Sequence, residues 1–488
     1  MVVNSLNFLL FFAVVFIVYY LPISVRNTRI QNGWLCLASF FFYGVADWRM
    51  IPLLLGAIII FYGLGVWLKS EMNDGHIHQA SHITTFGVVL GVGLLLYFKY
   101  LNFFAHSFAQ LLSAIGLNVT WTTLNIILPV GVSFFTFKLI SYLVEIHREH
   151  IEPSKDFIEF ATYIAFFPTI LSGPIDRPNK FIPQLQTPHN MDYSLAADGC
   201  RQILWGMFTK MCIADNLAVI TESTWNTYSE QTSITLILVI FLYFVQMYAD
   251  FDGYSNMAIG VGKLLGFKIT RNFNHPFLAR SMAEYWRRWH MSLTSWITDY
   301  VFMPLNIAFR NWGNYGIILA VIINLVVIGL WHGANWTYGL FGLYHGLLFV
   351  PLVFSGAFGK NKKLKPSHYG LPQFRDFLKM LGTFCLVSIG LVIFRAETIG
   401  QAFHFLGRAV MLDMVAAPSI DSYGKLYCLF ALLLICSDWV QRDKEHFLQF
   451  PDLPVFRYRS VRWSIYLLII LLIITFTGKS QAFIYFQF

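Results

Sequence analysis

Charge is what this sequence has least of. Asp, Glu, Lys and Arg make up 12% of its 488 residues, where a soluble domain carries roughly 25%. So little charge cannot cover a water-facing surface, which excludes an ordinary soluble globular protein. Cysteine is scarce as well: Cys36, Cys200, Cys212, Cys385, Cys428 and Cys436 lie scattered, mostly within apolar stretches. No CxxC occurs, so neither a disulfide framework nor a zinc site is indicated, and the thiols read as small core hydrophobes. Also absent are GxSxG, HExxH, a P-loop and a GxGxxG followed by a ribose-binding acid. A self-contained serine hydrolase, zinc protease, ATPase or dehydrogenase therefore finds no support. There is no internal repeat, no low-complexity tract and no polar gap long enough for a separate soluble domain.

What fills the chain instead is apolar and aromatic. Hydrophobic residues reach 57%, with 48 Phe, 24 Tyr and 14 Trp. A helix needs about 20 apolar residues to cross a bilayer. Apolar runs recur near 6–22, 33–46, 51–68, 83–98, 124–144, 157–171, 232–249, 314–331, 335–355, 380–395, 422–440 and 463–477. The chain reads as one all-α polytopic membrane domain over 1–488, with roughly 10 to 12 crossings and some re-entrant or partly buried helices among the shorter runs.

The net charge of +8 sits in short segments between these runs, the distribution of cytoplasmic loops rather than of a nucleic-acid binder. Lys360–Lys365 and Arg442–Arg462 are expected in the cytoplasm. The run from Leu6 to Leu21 is preceded by no Lys or Arg and followed by Arg26 and Arg29, the reverse of a secretory signal; it reads as a retained first span with the N-terminus outside. Runs 380–395 and 422–440 are expected to form a hairpin, leaving the last helix to carry the C-terminus outward.

Two stretches break the lipid-spanning pattern. Residues 173–202 hold Pro174, Pro178, Pro183 and Pro188; residues 271–300 hold Arg271, Arg280, Arg287, Arg288 and His290 among aromatics. Such segments survive at membrane depth only where protein or water surrounds them, so both are expected to line an internal, cytoplasm-facing cavity.

The candidate chemistry lies in a few of these places. Glu284, Arg287 and His290 recur at spacings of three and would share one helical face, with Trp286, Trp289 and Trp296 around it; an amphipathic interfacial helix explains that pattern as well. His332 ends an apolar run between Trp331 and Gly333, and an ionisable residue between two membrane segments is a functional candidate by default. A neutral imidazole there could take the proton of a hydroxyl attacking a thioester, with Gly333 leaving room for close approach. A histidine merely bonded to a carbonyl where two helices meet is the alternative. His345, inside an apolar helix, is explained by packing. Asp250 and Asp252 follow a span directly and should have an arginine or backbone partner. His76, His78 and His82 have metal-like spacing but lie in a polar loop, and no metal is expected there.

Six stretches taken together resemble the membrane-bound O-acyltransferases. They are Leu128-Pro-Val-Gly-Val-Ser-Phe-Phe-Thr-Phe-Lys138, Phe166-Phe-Pro-Thr-Ile-Leu-Ser-Gly-Pro-Ile175, Asp252-Gly-Tyr-Ser-Asn-Met-Ala-Ile-Gly260, Asn274-His-Pro-Phe277, Tyr285-Trp-Arg-Arg-Trp-His-Met-Ser-Leu293 and Gly329-Leu-Trp-His-Gly333. They occur in the family's order across residues 125–350, with 380–488 left as C-terminal helices. The closing Phe483-Ile-Tyr-Phe-Gln-Phe488 is most similar to the branch that O-acetylates alginate. The resemblance implies helices ringed around a thin central region with a cytoplasmic funnel. It implies His332 as the essential histidine, His290 as a second one, and Trp286, Trp289, Trp331 and Asn335 along the substrate tunnel. It also implies a cytoplasmic thioester donor such as acetyl-CoA, with no permanently bound cofactor. The acyl group would pass to an exported polysaccharide through an extracytoplasmic SGNH-type transferase, at the bacterial cytoplasmic (inner) membrane. Arg287 and Arg288 could attract the anionic donor. Transfer of D-alanine to teichoic acid and O-acetylation of peptidoglycan use the same fold. A transporter without chemistry is a third reading, weakened by the absence of duplicated halves.

Overall fold

The computed structural model describes residues 3–117, 123–124, 126–360, 370–411, 422–450, 454–478 and 481. The Phe483–Phe488 motif and the Asn361–Lys365 part of the basic cluster lie outside them. Among the described residues every regular element is helical. Among the described residues eight helical segments are long and apolar enough to cross a membrane, and Leu6–Tyr19 is a shorter apolar helix. The protein is thus an all-α, multi-pass membrane protein. The count falls below the number of apolar runs because runs 33–46 and 51–68 join in the one segment Thr28–Asn73, and runs 124–144 and 157–171 form only the shorter helices Val132–His147 and Phe157–Ala165.

The chain divides into two compact units, neither continuous in sequence: Met1–Cys200 with Ala258–Thr270, and Arg201–Met257 with Arg271–Phe488. In the first unit, the helix Thr28–Asp47 starts where the Asn27 side chain accepts from the amides of Arg29 and Ile30. It buries Leu35, Ala38, Ser39 and Phe42 at helical spacing while Leu37 and Phe41 face outward. An apolar outward face costs nothing against hydrocarbon. The 173–202 stretch is less irregular than its prolines suggest. Pro178 opens the helix Pro178–Leu185, because a first-turn position needs no N–H and suits the ring's fixed φ. That helix, the 150–156 loop and the start of Thr28–Asp47 line a cavity of about 710 Å3 in this unit, so the stretch does border a cavity.

In the second unit, Gly313–His332 and Trp336–Leu347 form a tight antiparallel pair. Their axes approach so closely that a Cβ on Gly329 would lie 2.1 Å from the Tyr338 carbonyl oxygen, and one on Gly342 2.3 Å from that of Leu325. Small residues at such crossings let backbones meet where no hydrophobic force drives helices together. Gly329→Ala is therefore expected to force the pair apart and displace His332, three residues on. Acyl transfer should fall at least tenfold, measured on membranes normalised for protein; transfer within twofold of wild type would show that the pair relaxes freely.

Phe374–Arg395 follows, but the expected hairpin with 422–440 is interrupted by a further helix, Ile399–Val410. Thr398 caps it, its hydroxyl accepting from the Gln401 amide at 3.1 Å. Ala402, Phe405 and Ala409 are buried on one face only, so no long apolar run betrays it. The cysteines also differ from expectation. Only Cys212 of the six is buried, and Cys200 and Cys436 are exposed. In a membrane protein an apolar neighbourhood in sequence is as often the lipid-facing surface as the core.

Candidate active site

Both candidate histidines belong to the second unit, and the fold brings them together. His332 is the last residue of Gly313–His332 and is 6% exposed. His290 is 1% exposed and precedes the helix Met291–Ile297. Their ring centroids are 6.3 Å apart. Trp331 lies 5.7 Å from the His290 ring and 5.0 Å from that of His332. Phe251 meets His290 edge-on at 4.7 Å, and Phe394 meets His332 at 5.1 Å. Two imidazoles thus share an aromatic, water-poor enclosure, where electrostatic interactions are stronger than in water.

The path to His290 is not the single helical face anticipated from spacing. Ser281 caps a helix only five residues long, Met282–Trp286. The chain then turns through Arg287–Trp289, and His290 takes left-handed backbone at φ 44°. Tertiary packing overrides the helical period here. Tyr285 stacks on Trp289 at 5.5 Å, and Trp289 also meets Phe273 at 5.0 Å and Phe244 at 5.7 Å. Trp286 and Trp289 are 5% and 6% exposed, so this is no interfacial helix.

Glu284 is not paired with Arg287. It is buried and accepts from Arg280 Nε at 3.1 Å and Arg288 Nη2 at 2.9 Å. Burial works against its charge, but the Arg280 amide and the two guanidiniums outweigh it and hold the carboxyl below its usual pKa. Arg288 also donates to the Asn274 carbonyl at 2.9 Å, so its charge is engaged internally. Arg287 is exposed, with Nη2 3.4 Å from the Lys360 carbonyl; of the two it is the one a soluble anion could meet.

The remaining candidates separate. Trp286, Trp289 and Trp331 are all buried, but of the three Trp331 is the one seen against both histidine rings, while Trp286 packs on His345. Asn335 caps Trp336–Leu347, its Oδ1 accepting from the Thr337 amide at 3.1 Å, and donates to the Glu397 carbonyl at 2.8 Å. Gly333 gives no opening for a substrate, because a Cβ there would lie 2.2 Å from the Tyr338 ring, which already occupies the space. His345 is fully buried, and Trp286 Nε1 donates to its Nδ1 at 3.2 Å. Since indole only donates, that nitrogen is the acceptor and the neutral ring carries its proton on Nε2. His76 Nδ1 lies 2.8 Å from Glu71 at an exposed position, and no group of three metal-binding side chains occurs among the described residues.

Asp250 is paired with a buried lysine. Lys210 Nζ lies 2.5 Å from Asp250 and 2.8 Å from Asp215, all three nearly inaccessible. Lys210 and Asp215 are the functional-type residues that sequence reading passed over. A lone Lys in an otherwise apolar span is the signal that would have found them. Asp252 accepts from Asn256 Nδ2 at 2.8 Å and borders a small polar cavity with Arg271, His275 and Asp438.

Burial disfavours the charged form of His290 and holds its pKa down at about 3, from 6.5. Between those values the unfolded chain binds a proton there that the folded chain does not. The group's stabilising contribution is therefore complete above the upper value and is lost as pH falls toward the lower. The melting temperature in detergent should drop on going from about pH 7 to about pH 5, and drop less in His290→Gln. Equal pH slopes in the two proteins would show that His290 is hydrated in solution.

A model of the membrane-bound O-acyltransferase family matches residues 40–361. The "Probable alginate O-acetylase AlgI" of Pseudomonas aeruginosa is 35% identical over 410 residues, covering 83% of this chain and 74% of the relative. The "Peptidoglycan O-acetyltransferase" of Helicobacter pylori is 28% identical over an alignment covering 98% of each chain. The "Teichoic acid D-alanyltransferase" of Streptococcus thermophilus is 32% identical over 320 residues, 60% of this chain and 75% of the relative.

Proposed function

The chain belongs to the membrane-bound O-acyltransferase family, and on that footing we propose that it moves an acetyl group from a cytoplasmic thioester, such as acetyl-CoA, toward a hydroxyl of an exported polysaccharide of the alginate type. As an O-acyltransferase it must break a thioester C–S bond and form an ester C–O bond. The hydroxyl proton must end on the departing thiolate. The observation that carries the reading is the His290–His332 pair, 6.3 Å between ring centres in an aromatic enclosure. His332 accepts the hydroxyl proton as the C–O bond forms, and His290, one relay step away, returns a proton to the thiolate. Arg287, exposed beside this segment, attracts the anionic donor. The relay has a consequence: if donor and acceptor lie on opposite faces, the proton travels opposite to the acetyl group. The same reading has the group delivered through an extracytoplasmic SGNH-type transferase at the cytoplasmic (inner) membrane of a bacterium.

Peptidoglycan O-acetylation is a second reading, favoured by the 98% coverage of both chains in that alignment. Membranes carrying the protein, supplied with a radiolabelled acetyl thioester, separate the two. Label in secreted polysaccharide is the expected result, and label in peptidoglycan favours the second reading. Label in neither, with protein present, overturns both.

A further inference from the structure

Among the described residues of the second unit, two non-glycine residues hold left-handed backbone, His290 at φ 44° and His275 at φ 49°. Such conformations persist only where the surroundings over-determine them. Here the two are joined. Met291 N donates to Asn272 O at 2.8 Å, and Asn274 N donates to Arg288 O at 3.0 Å. Ser292 Oγ donates to Asn272 Oδ1 at 2.6 Å, and Arg288 Nη1 to Asn274 O at 2.9 Å. Residues 272–275 are thus the backing on which the turn 288–292 is registered.

That backing is anchored by the His275 ring. Its Nδ1 lies 3.0 Å from Asp438 Oδ1 and its Nε2 3.3 Å from the Lys444 carbonyl. A carboxylate and a carbonyl only accept, so both ring nitrogens donate and His275 is an imidazolium. Asp438, 5% exposed, also accepts from Tyr248 at 3.1 Å, and the Tyr248 ring packs on Phe273 at 5.4 Å. Asp252, Arg271, Glu445 and His446 line the same small cavity. Burial opposes protonation of His275, yet Asp438 outweighs it and raises its pKa. A buried ion pair is a weak source of stability, and its best-attested use is to fix register.

We infer that the Asp438–His275 ion pair is a positioning device for the reaction: it holds residues 272–275 in the one conformation that sets the turn 288–292 and aims the His290 ring. This rests on the assignment of His290 to the reacting pair. Neither residue touches substrate; both act through His290.

The test is a double-mutant cycle on the purified full-length protein, following acetyl transfer from a thioester donor. Asp438→Asn should lower kcat between about tenfold and about a hundredfold with KM for the thioester unchanged, as expected for a misaimed group. In a His290→Gln background the same substitution should cost less than about twofold, because it has nothing left to aim. Asp438→Glu keeps the charge but shifts the pair by one methylene. It covers the case in which Asp438→Asn does not accumulate, and should show the same His290-dependent fall in kcat. Wild-type kcat in the Asp438 variants, or an equal loss with and without the His290 imidazole, overturns the inference. Full activity of His290→Gln alone removes the reading on which it rests, a distinguishable result.

Discussion

His332→Ala is expected to lose the acetylation of polymer while the protein still accumulates in the membrane. General acid–base catalysis by a placed side chain contributes about 10² to 10⁴ in rate, and a loss of that size leaves O-acetyl content at background. The fold should survive the change. His332 sits at the end of its helix, where its ring meets those of Trp331, Phe394 and His290. The measurement is the O-acetyl content of secreted polysaccharide in a deletion strain complemented with wild type or variant, with membrane levels matched by blot. Equal acetylation by both proteins would remove His332 as the base and leave His290 as the candidate.

Lys210→Met should have the largest effect on stability. Lys210 holds Asp215 and Asp250 at 2.8 and 2.5 Å, and all three side chains are 4–6% exposed. Removing one member of a buried ion pair leaves uncompensated charge and costs about 3–5 kcal/mol; here two carboxylates are left. Membrane abundance and detergent melting temperature should both fall. Neutralising the carboxylates together with the lysine, in Lys210→Met/Asp215→Asn/Asp250→Asn, should recover most of the loss, because a buried ion pair is a weak net contributor. A Lys210→Met protein that melts like wild type would mean that water reaches the cluster. Failure of the triple variant to recover would mean that the charges serve more than each other.

The two arguments lean on different kinds of information. His332 could be picked out from the amino-acid order because hydropathy is a local sum: an apolar run that ends on His-Gly places an ionisable group at the end of a span in any fold. The all-α membrane class follows for the same reason, since backbone groups in lipid must be satisfied within a helix. The family follows from six short motifs in order, and the matching model confirms it. For Asp250 the residues pointed to an arginine or backbone partner and did not single out Lys210, since burial demands compensation without saying from where.

What the order of residues could not decide is which distant groups meet. His290 and His332 are brought side by side by helix packing and by a turn that abandons the 3.6-residue period after Trp286. That period predicted Glu284 beside Arg287, but packing of Tyr285, Trp286 and Trp289 gave Glu284 to Arg280 and Arg288 instead. Helix Ile399–Val410 stayed hidden because a one-sided apolar stripe lacks the long run that marks a crossing. The bond between His275 and Asp438 spans 163 positions, far beyond any local periodicity. Local chemistry identified the class, the solvent and one catalytic candidate; the neighbours that tune it were assigned only when side chains from separate helices packed into the same water-poor space.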